Sequence, residues 1–327
     1  MQAIRIHAYG GPEVMQVEEL PLPALQPNQV VVHVHAASVN FLDIQKRRGD
    51  LFGQAFYRLG SGPDLPTTLG SQGVGVIEAL GSDVHNFQIA ERVSFAGDSY
   101  ASHAVVPAVR LMRIPEGISF EQAAAGMNQG FLAYAFTHFA YPIKSGEWCL
   151  IHAAAGGIGL LLCQMATIRS GRVIGVTSTA EKAEAAKNAG AEAVIISTQS
   201  DIAKEARRIT EGRGVSVVYD GVGKDTFEAS LDSLAPGGYL VIYGQSSGYV
   251  PPFDLMKLQD KGSLFVTRTN GLPYIKEYPR YLERFVEWVK DGKLNIKIDR
   301  TYPLAEAALA HAAVAQRQVS GRVLLLP

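Results

Sequence analysis

Cysteine is scarce in this chain, with only Cys149 and Cys163 in 327 residues. Neither sits in a metal-type spacing, and so small a number excludes a disulfide framework. Cys149 falls in an apolar strand pattern and Cys163 in an apolar helix pattern, so both are expected to be buried and unreactive. An excess of charge is missing too: 30 Lys and Arg stand against 31 Asp and Glu. Without a basic stripe or charged tail, nucleic acid and anionic membrane are poor candidates as partners. No run of 18 apolar residues free of charge exists, so no membrane-spanning helix is expected. The opening MQAIRIHAYGG alternates like a strand and lacks the apolar run of a secretion signal, which makes the cytoplasm the expected location. Repeats and low-complexity tracts are absent as well.

What the chain does have is an ordinary globular composition, 47% hydrophobic and 19% charged, at a length that implies two domains. The first third carries short alternating segments: residues 1–8, 29–37, 72–80 and 91–96. Residues 50–68, with Gly, Pro and Asp and no period, read as a long surface loop. From about residue 120 the pattern changes. Residues 120–140 read as two helical stretches broken near Gly126–Gly130. Then strands (148–154, 172–178, 191–197, 215–223, 239–244) alternate with helices (157–171, 179–190, 201–210, 225–234). Repeated βα units of this length predict an α/β fold with a doubly wound parallel sheet. An amphipathic helix over 275–291 and a last strand, GRVLLLP, follow. The terminal segment is expected to pack on the first domain, making that domain discontinuous.

The strongest local signal is His152-Ala-Ala-Ala-Gly-Gly-Ile-Gly159, between an apolar strand and an apolar helix. Ala154, Gly156 and Gly159 occupy the three glycine positions of the dinucleotide fingerprint. The second allows backbone to approach a pyrophosphate, and the third allows the helix to pack closely. The free N–H groups of the helix, Gly157 and Ile158 included, then face the phosphates. The second strand of such a unit usually ends in Asp or Glu when the cofactor is NAD. Here it ends in Thr177-Ser178-Thr179, without an acid, and Lys182 follows in the first helical turn. Small hydroxyls leave room for a 2′-phosphate and Lys182 can pair with it, so NADPH is favoured over NADH. The competing reading of Lys182 is a solvated surface lysine.

Together these motifs resemble the quinone oxidoreductase (zeta-crystallin-like) family of the zinc-independent medium-chain dehydrogenases/reductases. The resemblance covers essentially the whole chain: GGPEVMQVEELPLP (10–23), SVNFLDIQKRRG (38–49), the glycine turn, VVYDGVGKDTFEASLDSL (217–234), YGQSSG (243–248) and KGSLFVTR (261–268) come in the family's order. It implies a GroES-like, β-rich catalytic domain, taken as 1–124 and 267–327, around a Rossmann NADPH-binding domain, taken as 125–266. It also implies a homodimer. By the same resemblance Asn40 lies near the nicotinamide, Gly156, Gly157 and Gly159 at the pyrophosphate, and Lys182 at the 2′-phosphate. Tyr243, Ser246 and Gly248 lie beside the nicotinamide ribose and ring, and Arg268 and Arg317 are basic residues at the cofactor. For either arginine the alternative is an interdomain salt bridge.

Zinc-dependent relatives carry cysteine and a His-Glu pair where this chain has Asn40 and Ser71-Gln72, so no metal is expected. His33 and His35 have no third ligand nearby in sequence and read as ordinary strand histidines. Asp43 reads as a structural hydrogen-bonding residue. Four positions depart from the family pattern: Gln45 for a tyrosine, Leu132 for a threonine, Gln245 for an asparagine, and Ser197 for a tyrosine near the adenosine phosphate. They leave the fold and the cofactor intact and bear on the acceptor substrate. The expected activity is hydride or electron transfer from NADPH to a quinone, which needs proximity more than a strong acid. Asn40 and Gln45 are expected to hold the acceptor oxygen, with Tyr243 at the nicotinamide end. The alternatives are a 2-alkenal or enone reductase, and a low-turnover NADPH-binding protein.

Overall fold

The structure is a computed structural model that describes residues 1–50 and 64–327. These fall into two compact units, Met1–Gly126 with Ile298–Pro327, and Met127–Lys297. The first unit begins with β1 (Gln2–Ile6), β2 (Met15–Glu19) and β3 (Gln29–Ser38). Then come α1 (Phe41–Arg48), β4 (Thr67–Thr68), β5 (Gln72–Leu80), β6 (Arg92–Ala96), β7 (His103–Pro107) and β8 (Met112–Arg113). The long loop expected over 50–68 lies mostly outside the described residues, but its end does not stay irregular: Thr67 and Thr68 pair with Ile6 and Arg5.

Helix α2 (Phe120–Ala135) is continuous, passing into a π-helical turn, Phe136–Ala140. The expected break near Gly126–Gly130 does not occur. A Cβ on Gly130 would lie 2.0 Å from the Tyr281 hydroxyl oxygen. The glycine therefore costs about 1 kcal/mol of helix propensity and admits a tyrosine against the helix backbone. Six strands follow: β9 (Trp148–Ile151), β10 (Arg172–Thr177), β11 (Ala193–Ile196), β12 (Val215–Asp220), β13 (Leu234–Ile242) and β14 (Phe265–Arg268). They alternate with α3 (Gly157–Ile168), α4 (Ala180–Asn188), α5 (Ile202–Ile209), α6 (Phe227–Ser233) and α7 (Met256–Asp260). All five strand pairings are parallel, in the order β11-β10-β9-β12-β13-β14. Counted from β9 this is 3-2-1-4-5-6, the doubly wound order, with its reversal between β9 and β12. The central strands β9, β10 and β12 are buried on both faces, which is why they read as apolar runs, and Leu150, Ile174, Val218 and Leu240 meet in one core.

Helix α8 (Tyr278–Lys290) buries Tyr278, Tyr281, Phe285 and Trp288, a helical spacing that lays one stripe on Phe131 and Tyr134 of α2. Each such side chain taken out of water stabilises the unit by about 2 kcal/mol. This packing moves the expected return to the first domain from residue 267 to Ile298, because β14 pairs with β13 and α8 covers α2 within the second unit. The remaining segment, β15 (Ile298–Pro303), α9 (Ala307–Ala315) and β16 (Arg322–Leu326), belongs to the first unit. Its Leu304, Ala307, Ala310, Val323 and Leu325 share a core with Ile4, Ile6 and Tyr100, and β16 joins the large sheet beside β3.

Candidate functional site

In the second unit every sequence-predicted cofactor residue stands at or just beyond the carboxyl end of a parallel strand or in the turn or helix that follows. Parallel strands share one direction, so these ends form a single sheet edge. After β9, Gly156 is the N-cap of α3 and no side chain caps it, which leaves first-turn N–H groups, those of Gly157 and Ile158 among them, for an anionic ligand. A Cβ on Gly159 would lie 2.2 Å from the Ala153 carbonyl oxygen, so glycine is required there by contact with the turn. Ala154 replaces the first glycine of the fingerprint because the neighbouring strand makes room. Gly175 has no side chain where a Cβ would come within 3.0 Å of the Ala154 methyl.

At the end of β10, Thr177 is buried and Ser178 after it half-buried, and Thr179 caps α4 by accepting the Lys182 backbone N–H at 3.3 Å. This cap fixes the Lys182 backbone in the first turn of α4. Ser197, after β11, donates both its backbone N–H (2.8 Å) and its hydroxyl (3.1 Å) to the Thr177 carbonyl, tying the two strand ends together. After β13, the Tyr243 ring stacks on Phe136 at 5.3 Å and closes over Gly221, where a Cβ would meet it at 2.7 Å. Burial pushes the Tyr243 hydroxyl far above the usual phenol range, so it stays a neutral donor. Ser246 donates its backbone N–H to the Gly221 carbonyl at 3.2 Å, and Gly248, at φ 116°, takes a conformation that favours glycine. Arg268, at the end of β14, holds this loop by donating to the Ile242 carbonyl (3.3 Å) and to Gln245 Oε1 (3.2 Å).

Beneath this edge lies Asp220, the last residue of β12, fully buried. Its Oδ1 accepts the Val222 and Gly223 N–H groups (2.7 and 3.0 Å), and its Oδ2 accepts the Thr226 and Ser230 hydroxyls (2.7 and 2.9 Å). Ser230 is thus left to accept from His152 Nε2 at 2.9 Å, which places that histidine's proton on Nε2. Burial lowers the His152 pKa and favours this neutral form. Sequence reasoning passed over both residues. The signal was there in VVYDGVG, an acid ending an otherwise apolar strand.

In the first unit Asn40 is the N-cap of α1 and Gln45 lies, half-buried, in the same helix. Asn40 Nδ2 donates to Ser71 Oγ at 2.9 Å, and Asn40 Oδ1 accepts from the Arg322 guanidinium at 2.7 Å. The basic residue at Asn40 within this unit is therefore Arg322. Arg317 follows α9 as an exposed residue at φ 58°. Asp43 serves as the structural acceptor expected of it, taking the Asn40 backbone N–H at 2.8 Å and the Tyr100 hydroxyl at 3.3 Å. Behind Tyr100, His311 Nε2 lies 3.0 Å from the hydroxyl, and its Nδ1 lies 3.2 Å from the Arg47 guanidinium. Arginine only donates, so Nδ1 accepts and the proton sits on Nε2. Burial, with Arg47 beside it, holds His311 down to about 3, and burial pushes Asp43 up to about 6.

Residues 26–116 match the alcohol dehydrogenase GroES-like domain, and residues 157–287 match the zinc-binding dehydrogenase family. A quinone oxidoreductase of Pseudomonas aeruginosa is 38% identical over 331 residues, with 99% of each chain covered. This chain belongs to the quinone oxidoreductase family. The crystal structure of the Escherichia coli family member, a quinone oxidoreductase complexed with NADPH, superposes with a TM-score of 0.93 at 36% identity over the whole of both chains. A 2-haloacrylate reductase from Burkholderia is 35% identical over 100% of this chain and 99% of its own.

Proposed function

We propose that this protein is an NADPH-dependent quinone oxidoreductase that works without a metal. The observation that carries this reading is the sheet edge itself. An uncapped helix start at Gly156 stands beside a strand end of hydroxyls with no acid, and Lys182 is fixed in the next turn. The residues fit the cofactor: the α3 start takes the pyrophosphate, and Thr177, Ser178, Lys182 and Ser197 surround the 2′-phosphate. Tyr243, Gln245, Ser246, Gly248 and Arg268 hold the nicotinamide end, with Arg317 a further basic contact. NADPH supplies the hydride. Asn40 and Gln45 hold the acceptor oxygen as amide donors, and water protonates the product. The donor set at Asn40 does not fit zinc: its carbonyl oxygen already accepts from a buried guanidinium, a cation that repels a second one.

A second reading, reduction of 2-alkenals or other enones, is favoured by Gln45 standing where a stacking tyrosine is usual, and by the 2-haloacrylate reductase relative. A low-turnover NADPH-binding protein is the third. One experiment separates them: NADPH and NADH oxidation measured side by side with 1,4-benzoquinone, a naphthoquinone and a 2-alkenal. Quinone turnover selective for NADPH supports the first reading, alkenal turnover the second, and tight NADPH binding without turnover the third. In the same assay Lys182→Ala is expected to weaken NADPH binding about ten-fold and leave NADH unaffected, since a charge-assisted contact is worth roughly 1.5–3 kcal/mol. No effect on either cofactor would make Lys182 a solvated lysine, and an equal loss for both would place it on a group the two cofactors share.

The protein is further proposed to act in the cytoplasm, and among the described residues no helix is long and apolar enough to cross a membrane. Its proposed partner is a second copy of itself. Strand β14 ends the sheet order among the described residues, and Phe265 on it is 52% exposed while stacking on Tyr239 at 4.5 Å. An edge strand with an exposed aromatic is a template for the same strand of a copy. Phe265→Lys is expected to convert a dimer to a monomer in sedimentation velocity, and an unchanged dimer would exclude this edge.

A further inference from the structure

Arg322 is a costly residue where it stands. It is 7% exposed, on the last strand of the first unit. Among the described residues its Nε has no hydrogen-bond partner, and a guanidinium nitrogen donates to Asn40, 282 residues earlier. Burial lowers its pKa to about 10, with Asp43 and Tyr100 opposing, so it remains a cation. A buried charge of this kind destabilises a fold unless something is gained from it.

The gain lies in direction. A carboxamide has one accepting end and one donating end of nearly equal shape. Arg322 can only donate, and Ser71, whose hydroxyl hydrogen bonds the Asp43 carboxylate, is left to accept, so the guanidinium and this hydroxyl together set which end of Asn40 faces which way. With Oδ1 turned to the guanidinium, the NH2 group faces Ser71 Oγ. The other side of the network has the same sense: Arg47 donates to His311, His311 to Tyr100, and Tyr100 to the Asp43 carboxylate. Asp43 in turn takes the Asn40 backbone N–H, so side chain and backbone of one residue are held from opposite ends.

We propose that Arg322 is the positioning residue for Asn40, fixing its carboxamide so that it meets the acceptor oxygen as a hydrogen-bond donor. This rests on the reading of Asn40 as the acceptor-oxygen ligand.

The test is a double-mutant cycle of Asn40→Ala with Arg322→Met, reading kcat, quinone KM and NADPH dissociation constant. Arg322→Met is expected to lower kcat about ten-fold, as loss of one oriented donor does, and to leave the NADPH dissociation constant within about two-fold. In the Asn40→Ala background the same change is expected to cost less than about two-fold, because its effect runs through Asn40. A second readout needs no turnover: in the free protein the Asn40 side-chain amide, followed by 15N–1H NMR, is expected to exchange its hydrogens faster once Arg322 is replaced. If Arg322→Met does not fold, Arg322→Lys decides, with an expected loss of about three-fold that Asn40→Ala again masks. A loss that multiplies with that of Asn40→Ala, or full turnover in folded Arg322→Met beside an impaired Asn40→Ala, overturns the inference alone. Unchanged turnover in Asn40→Ala overturns the reading of Asn40 and this inference with it.

Discussion

Replacing Gly159 by valine is expected to raise the NADPH dissociation constant by about a hundred-fold, roughly 2.7 kcal/mol. The reason is contact with backbone. A Cβ at this position would lie 2.2 Å from the Ala153 carbonyl oxygen and 2.8 Å from Ala154 Cα. No side chain is available to swing away, so α3 must move off the turn, and its N–H groups move with it. Those groups are the proposed phosphate site, which Gly156 leaves open by giving the helix start no side-chain cap. Gly156→Ala is the companion variant. Its Cβ would meet only the Ala153 carbonyl oxygen, at 3.1 Å, so its melting temperature should hold while NADPH binding weakens through crowding of the ligand itself. Fluorescence titration and thermal melting read both variants. NADPH bound by Gly159→Val within about three-fold of the parent would mean that the turn is not where the pyrophosphate sits.

The doubly wound unit was legible because its information is local. The central strands are apolar runs, α4 and α5 start at their own side-chain caps, Thr179 and Asp201, and the order of βα units dictates a parallel sheet. The cofactor candidates followed from that order, since a residue just past a strand in such a sheet has only one edge on which to lie. What the sequence hid depends on partners far along the chain. Gly130 looked like a helix break, and only the Tyr281 ring packed on it explains why the helix continues. The apolar stripe of α8 gives no address, so the return to the first unit was placed at 267 rather than Ile298. Arg322 was the deepest omission. GRVLLLP announces a strand, and nothing within it says that its arginine turns inward to an asparagine 282 residues away. Gln45 and Leu132 are of another kind. Both were read as departures that bear on the acceptor, and most of the surface loop expected over 50–68, residues 51–63, lies outside the described residues.

Asp220→Ala is expected to destabilise the second unit by about 4 kcal/mol, a large share of a typical domain's stability. The carboxylate is fully buried and accepts four hydrogen bonds, from the Val222 and Gly223 N–H groups and the Thr226 and Ser230 hydroxyls. Truncation leaves all four donors facing a small cavity, and an orphaned buried donor costs about 1–3 kcal/mol. Asp220→Asn separates this from loss of volume. Its amide oxygen can still take the two backbone N–H groups, and its NH2 can donate to the two hydroxyls, which rotate to accept. The expected cost falls to about 1.5 kcal/mol, because only the hydroxyl hydrogens lose their acceptor. Urea unfolding of the three proteins measures the difference. If the alanine and asparagine variants were equally stable, the four hydrogen bonds would not be what fixes the Gly221–Gly223 turn under Tyr243. The packing of that ring on Phe136 at 5.3 Å would then have to hold the turn alone.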